Sequence, residues 1–166
     1  MTTDYSIDPK EFVGKRALVT GGTKGIGEAI VRRLAAGGAT VATTARSLSS
    51  DAQPPALFVQ ADISTAEGVN EVVREVLRRL GGLDILINNV GGSSAPSGGV
   101  LALRDDDWQD TMNANLFAAV RLDRAFLPGM LKQGSGVILH ISPAPAAAVR
   151  SDTRVRSREG GVDDLQ

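Results

Sequence analysis

The 166-residue chain has no cysteine and a single histidine, His140. Disulfides and thiolate metal sites are therefore excluded, and one imidazole cannot build a histidine cluster, so no metal is expected. Tyrosine is nearly absent as well, with Tyr5 the sole example. Charge of one sign is missing: 18 Lys and Arg against 19 Asp and Glu leave a net charge of -1, without the basic footprint that nucleic acid demands. No uninterrupted apolar run approaches the roughly 20 residues that span a bilayer. The opening MTTDYSIDPKEFVG lacks the basic region and apolar run of a secretory signal. These absences point to a cytoplasmic protein with no nucleic-acid or membrane partner.

What is present is an alternation of short apolar runs and amphipathic stretches. RALVT (16–20), TVATTA (40–45), ALFVQ (56–60), DILIN (84–88) and GVILHIS (136–142) read as β-strands of the buried, parallel kind. Between them, GIGEAIVRRLAAGG predicts a helix from Gly25 with Ile26, Ile30, Val31 and Leu34 on one face and a glycine pair at its end. Ser64 and Glu67 have capping-box spacing ahead of a helix whose apolar stripe is Val69, Val72, Val73, Val76 and Leu80. A Gly/Ser/Pro loop (91–99) precedes a long helical region from about Asp105 to Lys132, which Pro128-Gly129 kinks or ends. Strands alternating with helices imply βαβ units and a parallel sheet in an α/β fold. With 42% hydrophobic residues the chain can bury a core as one domain, 1–142, ordered from about Gly14. Residues 143–166 carry neither strand pattern nor helical face and are expected to be a disordered tail.

The first strand runs directly into TGGTKGIG, Thr20 to Gly27, and then a helix. Glycine permits positive φ and close backbone approach, and a helix N-terminus offers unpaired N–H groups to an anion. Gly21, Gly25 and Gly27 could cradle a pyrophosphate, or could serve only as a tight turn packing helix on sheet. A phosphate-loop NTPase is a poor fit, because there Lys must follow the last glycine and here Lys24 precedes Gly25.

In this setting the sequence resembles the classical short-chain dehydrogenase/reductase family. TGGTKGIG is similar to its cofactor fingerprint, ADIS to the segment placing Asp62 and Ile63 at the adenine, and NNVG (88–91) to its Asn-Asn-Ala-Gly. WQDTMNANL sets Asn115 at the family's active-site asparagine, and HIS sets Ser142 at its serine motif. The five motifs occur in family order over about Gly14 to Ser142. The resemblance implies a Rossmann-type doubly wound parallel sheet, incomplete at its C-terminal side, and hydride transfer between a nicotinamide dinucleotide and a carbonyl or alcohol. It implies cofactor contacts from Gly21, Thr23, Lys24, Gly25, Ile26, Gly27, Arg46, Asp62, Ile63, Asn89 and Gly91, and catalytic roles for Asn115 and Ser142. The second strand ends Thr43-Thr44-Ala45-Arg46 without the acid that binds a ribose 2′-OH. Arg46 and Lys24 suit a 2′-phosphate, so NADP is expected over NAD.

The family's proton donor is a tyrosine followed four residues later by a lysine, which lowers a phenol pKa near 10 into a useful range. Tyr5 lies far upstream, none of Lys10, Lys15, Lys24 and Lys132 follows a tyrosine at that spacing, and Pro143 stands where many relatives have a second serine. Read one base out of register, the codons for Val155 to Val162 permit Tyr-Ala-Ala-Ala-Lys-Ala-Ala-Leu. The tail is thus expected to be either out-of-frame translation or a natural terminal segment, and sequencing the coding DNA separates the two. Three functions stay open: a short-chain oxidoreductase with impaired catalysis, a non-catalytic NADP-binding fragment, and an interaction module. That module would pair with an intact homologue, or with another copy as a homo-oligomer, through Leu116, Phe117, Val120, Leu122 and Phe126 of the 105–132 helix. The same residues also suit core packing.

Overall fold

The computed structural model describes residues 8–48, 56–92 and 96–142; Tyr5 and the tail from Pro143 fall outside them. Five strands, β1 (Arg16–Thr20), β2 (Thr40–Ala45), β3 (Leu57–Gln60), β4 (Ile85–Asn88) and β5 (Val137–His140), form one sheet. Every pairing is parallel and the order is β3-β2-β1-β4-β5. The chain winds outward from β1 to β3, then returns to start β4 on the other side of β1. That reversal opens a crevice at the strand C-termini between β1 and β4.

Alternation along the strands divides the core in two. Leu18, Ala42, Val59 and Leu86 face helices α2 (Ala66–Leu80) and α4 (Ala118–Gln133), meeting Val69, Val72, Val76, Leu122 and Phe126. Ala17, Val19, Val41 and Ile87 face α1 (Gly25–Ala36), meeting Val31 and Leu34. Ile26, expected on that inner face, is 67% exposed. Gly27 takes the inward place instead: a Cβ there would lie 2.3 Å from the Gly21 carbonyl oxygen, so only glycine lets the first turn settle against β1.

The cap of α2 is Thr65 rather than Ser64. Thr65 Oγ1 accepts from the Gly68 N–H at 3.0 Å, while Ser64 donates its N–H and hydroxyl to Asp62 Oδ1. The long helical region begins with α3 (Asp105–Met112), passes through a π-helical turn (Asn113–Phe117) and continues as α4. Pro128 neither ends α4 nor defines its boundary; the helix runs to Gln133 and closes at Gly134 with φ +75°. Both Pro128 and Arg124, whose carbonyl loses its partner, are exposed, so water can replace the missing bond. Of the five residues considered for core or dimer contact, Leu122 and Phe126 are buried, whereas Leu116, Phe117 and Val120 are exposed.

At the opposite end of the sheet from the crevice, Arg16 ties β1 to β4. Its Nε donates to Asp84 Oδ2 at 2.8 Å and its Nη2 to Oδ1 at 3.1 Å. The same Nη2 reaches Gln133 at the end of α4.

Candidate functional site

The segment after β1 and the segment after β4 flank the crevice and are bolted together by one hydroxyl. Thr20, 1% exposed, accepts at Oγ1 from the backbone N–H groups of Asn89 (2.8 Å) and Val90 (3.0 Å). Asn89 returns the contact, donating Nδ2 to the Thr20 carbonyl at 3.0 Å. On the other sheet face, buried Thr43 donates to the Val19 carbonyl at 2.8 Å and accepts from the Gly22 N–H at 3.0 Å. Two threonines and one asparagine therefore set the path of the glycine turn.

That path has the form an anion requires. Gly21 and Gly25 have φ of +67° and +58°, in the left-handed region that L side chains avoid. Nothing stands within 4 Å of a Cβ built on Gly25, so the backbone there is open. Lys24 occupies the N-cap of α1 and gives no side-chain cap, which leaves the first-turn N–H groups available. Lys24, Gly25 and Ile26 are exposed and Thr23 is half-buried.

The other expected residues surround the same sheet edge. Arg46 follows β2 and is exposed. Asp62 follows β3; hydrogen bonding from Ser64 holds its carboxyl below the ordinary value, with the charge of Arg46 adding to the effect. Ile63 sits buried in the core. Gly91 is shaped by Asn115: a Cβ on Gly91 would meet Asn115 Oδ1 at 2.9 Å. Asn115 lies in the π-helical turn and uses its whole amide locally. Oδ1 accepts from the Gly92 N–H (2.9 Å), and Nδ2 donates to the carbonyls of Gly92 (2.7 Å) and Thr111 (2.8 Å). It thus clamps the loop after β4 to the helix. Ser142 follows β5 on the same edge of the sheet and is exposed.

Thr20 and Thr43 escaped the sequence reading because a β-branched residue in a strand looks like ordinary strand filler. The signal was their place at the strand ends beside glycines. Asn88, Asp123 and His140 were missed too: Asn88 Nδ2 donates to Asp123 Oδ1 at 2.9 Å, and His140 Nε2 lies 3.3 Å from Asp123 Oδ2. Among the described residues, no cluster of three or more His, Cys, Asp or Glu could hold a metal, and no helix is long and apolar enough to cross a membrane.

A doubly wound parallel sheet with a glycine turn at its switch point defines a Rossmann-type unit. The profile of the short chain dehydrogenase family matches residues 15–150. The chain belongs to the short-chain dehydrogenase/reductase family. It is 34% identical over 150 residues to a fatty acyl-CoA reductase of Mycobacterium tuberculosis, covering 82% of this chain and 50% of that protein. Against a 3-oxoacyl-acyl-carrier-protein reductase of Vibrio cholerae it is 35% identical over 135 residues, covering 77% and 54%. A short-chain dehydrogenase of Burkholderia cenocepacia, solved in complex with NADP, superposes with a TM-score of 0.64 at 40% identity, covering 71% of this chain and 51% of that one. L-sorbose reductase of Gluconobacter frateurii, solved with NADPH and L-sorbose, gives a TM-score of 0.68 at 37% identity, covering 80% and 53%. The chain spans about half the length of the curated relatives it matches.

Proposed function

We propose that this chain is the NADP-binding half of a cytoplasmic short-chain oxidoreductase acting on a carbonyl or alcohol, and that it does not complete the proton transfer by itself. The observation that carries the reading is the braced, uncapped glycine turn at the sheet's switch point. Gly21 to Gly27 would hold the pyrophosphate, Asp62 and the Ile63 backbone the adenine side, and Asn89 and Gly91 the face of the crevice. Lys24 and Arg46 would hold a 2′-phosphate, and the absence of an acid at the end of β2 removes the usual partner of a free ribose 2′-OH. When bound, NADP(H) supplies the hydride. Asn115 keeps the loop at Gly91-Gly92 in place, and Ser142 would orient a substrate oxygen. No Tyr-x-x-x-Lys occurs in the sequence, so no phenol is poised to exchange a proton with that oxygen.

Titration with NADPH and NADH, followed by fluorescence and thermal shift, tests the binding claim. NADPH is expected to bind and raise the melting temperature, with NADH weaker. Arg46→Ala and Lys24→Ala should each lower NADPH affinity about tenfold, the loss of one charge-assisted bond, and leave NADH nearly unchanged. Equal affinity for the two cofactors would overturn the NADP preference, and no binding of either would overturn the reading. Carbonyl reduction at saturating NADPH should stay at background.

The outer face of the long helix supports a second reading. Leu116, Phe117, Val120 and Leu127 are exposed on one helix, an arrangement suited to packing against an intact homologue or another copy. Val120→Lys, read by size-exclusion chromatography, tests that surface.

A further inference from the structure

β2 leaves the sheet at Arg46. Up to that point its ladder is regular: the Thr44 carbonyl accepts from the Gly21 N–H on the β1 side at 2.8 Å, and the Ala45 carbonyl accepts from the Ala61 N–H on the β3 side at 3.1 Å. By that alternation the Arg46 carbonyl of a continuing strand would face β1 again. Instead the chain bends at Arg46, and its carbonyl accepts from Nε2 of Gln60, the last residue of β3, at 3.0 Å. A glutamine side chain thus makes the bond that the backbone ladder no longer supplies.

Only the amide nitrogen can donate to a carbonyl, so the contact fixes the orientation of Gln60. A glutamate could not make it. Val59 points into the core beneath α2 and α4, so Gln60, next in the strand, projects on the face that α1 covers, where Lys24 stands at the helix N-terminus. The guanidinium of Arg46 is drawn to the β3 side as well. Behind the hydrogen bonds from Ser64, its charge helps hold the Asp62 carboxyl below the ordinary value. Arg46 is a long, exposed side chain, and such a group loses freedom when it closes on a ligand. Fixing its backbone beforehand lowers that cost.

We propose that Gln60 is a positioning residue for recognition of the nucleotide 2′-phosphate, holding the backbone from which Arg46 reaches that group. The role rests on the reading of Arg46 given under Proposed function. It also separates the two nucleotides. NADPH and NADH differ only in the phosphate, so a residue that acts through Arg46 alters the binding of the first and spares the second.

Calorimetric titration of the full chain with NADPH and NADH tests this on wild type, Gln60→Met, Arg46→Ala and the double variant. Methionine keeps the length of the side chain and removes the donor. Gln60→Met should weaken NADPH about three- to tenfold, the cost of ordering one side chain at binding rather than before it, and leave NADH within about twofold. In the Arg46→Ala background the same substitution should change nothing, because the carbonyl remains while the guanidinium it positions is gone. Gln60→Ala should repeat the pattern. Gln60 is exposed, so the thermal melts should stay at wild type. Equal losses for both nucleotides, an unchanged NADPH affinity in Gln60→Met, or a further loss added to that of Arg46→Ala overturns the positioning role and leaves the NADP reading standing. Wild-type NADPH affinity in Arg46→Ala, or a chain that binds neither nucleotide, overturns the NADP reading, and the role of Gln60 falls with it.

Discussion

Replacing Thr20 by valine removes one oxygen and nearly nothing else. Thr20 is buried, and its Oγ1 is the acceptor for the backbone N–H groups of both Asn89 and Val90. Valine keeps the shape and the β-branch, so strand geometry and packing volume are retained. What changes is that two partly buried donors lose their acceptor together. Each unsatisfied donor costs about 1–3 kcal/mol, so the pair should cost about 2–4 kcal/mol once partial access to water is allowed. For a chain of this size that corresponds to a fall in melting temperature of roughly 4–16 °C. The loop after β4 would also lose its fixed distance from the glycine turn, so NADPH affinity should drop with stability.

Urea unfolding followed by circular dichroism measures the first effect, and NADPH titration well below the melting temperature measures the second. Thr20→Ser is the control. Serine keeps the acceptor and loses a methyl group, which should cost only about 0.5–1.5 kcal/mol and leave affinity close to wild type. A valine variant within 1 kcal/mol of wild type, or a serine variant as damaged as the valine one, would refute the claim that this hydroxyl locks the crevice.

Gly27→Ala should be costly because its Cβ would fall 2.3 Å from the Gly21 carbonyl oxygen, which is backbone and cannot swing aside. A loss of about 1–3 kcal/mol by thermal melt, with much weaker NADPH binding, is expected. Phe126→Ala empties the core between α4 and the sheet and should cost about 3–5 kcal/mol in urea. At Asp84, the hydrogen bond from Arg16 holds the carboxyl below its ordinary value. A carboxyl depressed in the folded state stabilises the fold above its unfolded value near 4, and that contribution disappears as pH falls through the depressed value. Wild-type stability should therefore fall across this acidic window, and Asp84→Asn should flatten that part of the profile while lowering stability at pH 7. A parallel pair of curves would count against the Arg16–Asp84 bridge.

The order of strands and helices was legible because each strand is a short apolar run and each helix carries a period of 3.6, signals that live within a few adjacent residues. The glycine turn was legible for the same reason. What could not be read depends on partners far along the chain. The π-helical turn at Asn113–Phe117 is stabilised where Asn115 takes the Thr111 carbonyl and grips Gly92, 23 residues away. Periodicity sees only a continuous helix there. Ile26 satisfied the helical stripe, yet the inward place on the first turn belongs to Gly27, because the Gly21 backbone comes too close for any side chain. Local pattern thus located the crevice, while its rigidity rests on bonds between Thr20 and residues about 70 positions later, from Asn89 and Val90. A pattern reader looking for the next such brace should inspect the threonines at strand ends that adjoin glycine turns, since there a hydroxyl can bond backbone that the sheet itself no longer pairs.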